Sequence, residues 1–210
     1  MALKALRFWR RPPPVLTVQD LVSFAETRAK FVGQTSLYGY VRTRAGTRYA
    51  SLMEDDIFAN SVNIAKWEIY LACLCDLATY VAASVGRHQS RDSDITRQLA
   101  VHIVETATLN EEIPAERPQG FEDIRAAFAV RAEATDWTES GIGEAAFRSS
   151  PSALVKWAPI ADELKNYDVD IVKNSMRFKW KRIRDQFETL LDADAVLADW
   201  REQNSLRPQF

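Results

Sequence analysis

The sequence predicts an all-α fold, an irregular bundle of six or seven helices around one central apolar helix at about residues 56–86. Three observations predict it. From Ile69 to Val85 there are seventeen residues and one charge, Asp76, which suits a helix covered on nearly every side. Seven glycines in 210 residues are few for a chain of sheets and tight hairpins. Val169, Val172, Met176, Trp180, Ile183, Phe187 and Leu190 recur at steps of three and four, the spacing of one helix face.

The elements follow in order. Residues 1–14 read as a basic amphipathic arm with a proline spacer, and 15–210 as one all-α domain. In the arm, Leu3, Leu6, Phe8 and Trp9 stand among Lys4, Arg7, Arg10 and Arg11. Three readings fit it: an interfacial membrane anchor, with rings at the boundary and cations among headgroups; an arm docking in a partner's groove; or a disordered tail. Pro12, Pro13 and Pro14 make a semi-rigid extended spacer that should hold the arm away from the domain.

Thr17 with Asp20 three residues on approximates a capping box, so a helix starts there. Gly33 and Gly39 predict a bend or break before Gly46. The central helix starts at Asp55 or Asp56, where carboxylates suit the positive end of the dipole, and stops at Gly86. A third helix covers Ile95 to Leu109, capped by Ser93 or Asp94. The prolines and glycine of 110–120 mark a linker. A weaker helix follows from Phe121 to about Thr135, and 136–150 reads as a loop with at most one helical turn. Ser150–Pro151 has the form of an N-cap followed by proline at the first helical position, and Pro159 should kink or restart that helix. The last long helix spans about Tyr167 to Leu191, packed along the central one, and a final helix runs from Ala193 to Arg201.

Composition bounds the function. Hydrophobic residues at 47% and charged residues at 27% are ordinary for a soluble globular protein. A pI near 5.8 argues against a dedicated nucleic-acid binder, although Phe178 and Trp180 alternate with cations. The first fifty residues hold nine Lys/Arg against two Asp/Glu, so this part either faces an anionic partner or docks on the acidic remainder of its own chain. No secretory leader is evident, because the prolines interrupt the arm. A membrane span at 69–85 would be at the short limit with Asp76 near its middle, so a buried helix is the better reading. Cys73 and Cys75 point about 200° apart on a helix and should behave as small hydrophobes rather than a disulfide.

Motifs for catalysis are missing. Ser140 does not sit in a nucleophile elbow. His102 and Glu105 share a helix face, but a di-iron site needs a second such pair. Phosphate-loop and dinucleotide glycine patterns do not occur. The sequence therefore leans away from an enzyme and implies no cofactor and no metal.

Four groups of candidate residues remain. Leu3, Lys4, Leu6, Arg7, Phe8, Trp9, Arg10 and Arg11 would bind a membrane or partner. Arg42, Arg44 and Arg48, interleaved with tyrosines, could bind an anion, or pair with Glu54, Asp55 and Asp56. Arg177, Lys179, Lys181, Arg182 and Arg184 form a basic face suited to an acidic protein. Lys66, Asp76 and Tyr80, with Tyr70, could form a buried polar site, Asp76 drawing an arginine from the basic first quarter. The leading expectation is a non-catalytic, cytoplasmic adaptor or accessory subunit that binds a protein partner. It would attach peripherally to the inner face of a membrane or membrane complex through its arm. The alternative is an enzyme or small-molecule binder with a pocket beside Asp76.

Overall fold

The central helix begins where Asp55 turns its carboxylate back to accept the Phe58 N–H at 2.8 Å. It continues as α3, Asp56–Gly86. Every residue of 69–85 except Ala72 is buried, and Asp76 is among those fully buried. A helix that is apolar all round needs neighbours on every side, and it has them: α1 (Val18–Ala45), α4 (Ser93–Leu109), α7 (Ser149–Trp157) and α9 (Ala193–Ser205) all lie against it. It is long and apolar enough to cross a membrane, yet 89% of its most hydropathic window is covered by these helices.

The computed structural model describes residues 13–88, 93–140 and 143–205. The remaining helices among them are α2 (Tyr49–Met53), α5 (Glu122–Glu133), α6 (Trp137–Ser140) and α8 (Asp162–Leu190). Both α2 and α6 are single turns, so seven helices of more than one turn make the irregular bundle. The arm, 1–11, lies outside the described residues.

The cap at Thr17 forms as its sequence predicts: Thr17 Oγ1 accepts the Asp20 N–H at 3.1 Å, and Asp20 accepts the Thr17 N–H at 3.0 Å. The predicted break in α1 does not occur, and the helix runs unbroken to Ala45. At Gly33 a Cβ would stand 3.5 Å from the Tyr70 backbone, so this glycine lets α1 and α3 approach closely, and packing outweighs its poor helix propensity. Ser150 is not an N-cap either. The helix starts one residue earlier, at Ser149, with Arg148 before it, and a remote side chain does the capping. Pro159 does separate two helices, α7 and α8. The last long helix starts at Asp162 and lies against α1 and α7 rather than along α3. Its contact with α3 comes through Tyr80, whose ring is 6.1 Å from that of Phe187 and whose hydroxyl donates to Glu188 at 3.0 Å.

The ends of the fold are joined. Val15 N–H donates to Leu190 O at 2.8 Å and Asp192 N–H donates to Val15 O at 3.0 Å. Val18 N–H then donates to Asp199 of α9 at 2.7 Å. The linker 110–120 is also held down. Arg117, almost fully buried, bonds Gly120 O at 2.8 Å and forms ion pairs with Glu68 of α3 and Asp123 of α5.

Candidate functional site

Asp76 was the residue most conspicuous in the sequence, and its surroundings explain it. Its Oδ2 accepts the backbone N–H groups of Ser149 at 3.0 Å and Ser150 at 2.7 Å. These are the free donors of the first turn of α7, so α3 supplies the N-cap that α7 lacks. Its Oδ1 stands 2.9 Å from the guanidinium of Arg131 on α5, not from an arginine of the first quarter as expected. Burial pushes the carboxyl up from its usual 3.8, against the pull of Arg131 and of the Ser150 N–H. Ser150 Oγ in turn accepts the indole N–H of Trp180 at 3.0 Å. One buried carboxylate thus ties α3, α5 and α7 together, and the serine links that node to α8.

Lys66, Asp76 and Tyr80 do not form one site. Lys66 lies ten residues, about 15 Å of helix, before Asp76 and sits over the Trp67 ring at 5.8 Å. Tyr80 turns to Glu188, and Tyr70 donates to Glu111 at 3.2 Å. Beside the Asp76 node is an open groove of about 430 Å³. Its walls are largely apolar, including Leu71, Cys75, Phe128 and Trp157, with Arg131 and Lys156 among the polar groups lining it. Burial pushes the Cys75 thiol up to about 12 and the Cys73 thiol upward as well, so neither is a reactive thiolate at neutral pH.

The arginines near the end of α1 separate. Arg44 alone reaches across to α8, where it grips both carboxylate oxygens of Asp168. Tyr40 donates to the same carboxylate at 2.9 Å. Pairing with Glu54, Asp55 or Asp56 does not occur for Arg44, because Asp55 caps α3 and the α1 face carrying Arg44 points to α8. Arg42 and Arg48 are exposed. The bond to Arg44 holds the Asp168 carboxyl below its usual value. Burial and the bond to Asp168 push the Tyr40 phenol up to about 12.

The basic face of α8 divides as well. Arg177, Lys181 and Arg182 are exposed, with Lys181 paired to Asp185 at 2.7 Å. Arg184 is mostly covered and stands 3.9 Å from Glu144. Lys179 turns inward, into a cleft of about 400 Å³ between α1 and α8 that Arg44 and Asp168 also line. Sequence reasoning placed Arg44 and Lys179 in different groups and missed Asp168 altogether. The one available signal was that Lys179 precedes Trp180 of the buried stripe by a single position and so lies at its edge.

The outer face of α8 carries a second apolar row. Leu164, Tyr167, Ile171 and Phe178 follow steps of three, four and seven, and Tyr167, Ile171 and Phe178 are 83%, 70% and 72% exposed. Glu163 and Asp170 flank its first half, and Arg177, Lys181 and Arg182 its second. No family model, curated protein or solved structure matches this chain.

Proposed function

We propose that the protein is a non-catalytic adaptor or accessory subunit whose helical body presents the outer row of α8 to a helix of a protein partner. The observation that carries this reading is the exposure of Tyr167, Ile171 and Phe178 on one face of a helix whose opposite face is buried. Large apolar side chains in a row at helical spacing are what a partner helix packs against. Their flanking charges run from acidic to basic along α8, so they favour a partner helix with the opposite order and fix its direction. The basic aromatic arm supplies the second contact, to an anionic membrane surface or a membrane complex on its cytoplasmic side.

Photo-crosslinking in the native cell tests the docking. A crosslinking residue in place of Tyr167 should yield a discrete protein adduct, and one in place of Glu105 on α4 should not. Ile171→Glu should remove the adduct while leaving the melting temperature unchanged. Equal adducts from both positions, or an adduct indifferent to Ile171→Glu, would refute it. Co-sedimentation with anionic vesicles tests the arm separately: the chain lacking residues 1–11 should lose vesicle binding.

A further inference from the structure

We propose that the cleft between α1 and α8 is a binding site for a small organic monocarboxylate, with its carboxylate on Lys179 and its apolar body along Val172 and Leu154. The first reason is an unbalanced charge. Lys179 is half-buried, and its ammonium donates to the neutral hydroxyl of Ser36 at 2.9 Å. Among the described residues no carboxylate pairs with it. The nearest acid in the cleft, Asp168, is already held by Arg44 and Tyr40. Burial without an anion draws the ammonium's pKa down. A desolvated cation costs free energy until an anion arrives.

The second reason is space of the right character. The cleft holds about 400 Å³, within the range of ligand pockets. Leu154 and Val172 give it apolar walls. Gly39 lines it too, and a Cβ built there would meet nothing within 4 Å, so the backbone of α1 leaves that part of the cleft open. The third reason is charge count. Arg44 and Asp168 cancel, leaving one uncompensated positive charge, which matches a monoanion better than a phosphate dianion.

The test titrates the full chain with benzoate, with benzyl alcohol and inorganic phosphate as comparisons. Benzoate should bind with a Kd on the order of 0.1–1 mM, and benzyl alcohol and phosphate at least about tenfold more weakly. Lys179→Met should weaken benzoate by about tenfold or more, while Lys179→Arg keeps most of the affinity. Gly39→Leu, which fills the open part of the cleft from an exposed backbone position, should abolish binding at a melting temperature no lower than the parent's. The site is refuted if benzoate does not bind at about 10 mM. It is equally refuted if Gly39→Leu leaves the affinity intact, or if benzyl alcohol binds as well as benzoate. Tighter binding of phosphate than of benzoate would overturn the monocarboxylate assignment.

Discussion

A charged residue in the middle of an apolar helix invites a functional explanation, and Asp76 has a structural one. Its carboxylate satisfies two N–H groups of α7 and faces Arg131. Removing it leaves those donors without their acceptor and the guanidinium without its counter-charge. Asp76→Ala should therefore cost about 3–5 kcal/mol in urea unfolding. Asp76→Asn, which keeps one acceptor oxygen for α7, should cost clearly less. Equal losses would mean that the ion pair rather than the cap is what matters. The sequence marked Asp76 as the exception but not its partners. Arg131 lies on another helix with no local pattern pointing to it, and Ser149 and Ser150 contribute backbone groups, which no side-chain pattern records.

Helix by helix, the glycines show where packing overrides propensity. Gly39 costs α1 helix stability and gains no contact, since its missing Cβ would stand in open space. Gly39→Ala should raise stability by about 0.5–1 kcal/mol. Gly86 is the opposite case: a Cβ there would lie 2.1 Å from Thr96 Oγ1, where α3 and α4 meet. Gly86→Ala should lower stability by about 1–3 kcal/mol. Thermal melts of the two variants should move in opposite directions. The extent and start of α3 were legible, because a long apolar run that begins at Asp55 and Asp56 is a helix whether a protein core or a bilayer covers it. The inner stripe of α8 was legible from its period. Its outer row was not: a sequence shows that Tyr167, Ile171 and Phe178 are apolar, but not that the neighbouring helices have all gone to the other side.

Across the whole molecule, the grip of Arg44 and Tyr40 on Asp168 joins the first long helix to the last. Asp168 is held below its usual 3.8 by that bond to Arg44. A lowered carboxyl contributes stability that is complete above the unfolded value and is lost as pH falls through the folded one. Asp168→Asn should therefore be less stable than the parent near pH 7, and the gap should narrow as the pH is lowered below 3.8. Denaturant midpoints at the two pH values check it. Asp76, raised by burial, acts in the opposite direction, but it is common to both proteins and cancels in the difference. The other junction between distant parts is the pair of backbone bonds from Val15 to Leu190 and Asp192. Because that clasp lies between the prolines and α1, any tension applied from the N-terminal side meets the corner of α8 and α9 first. A load on the arm would be shared by the far end of the chain while the interior post, α3, stays slack.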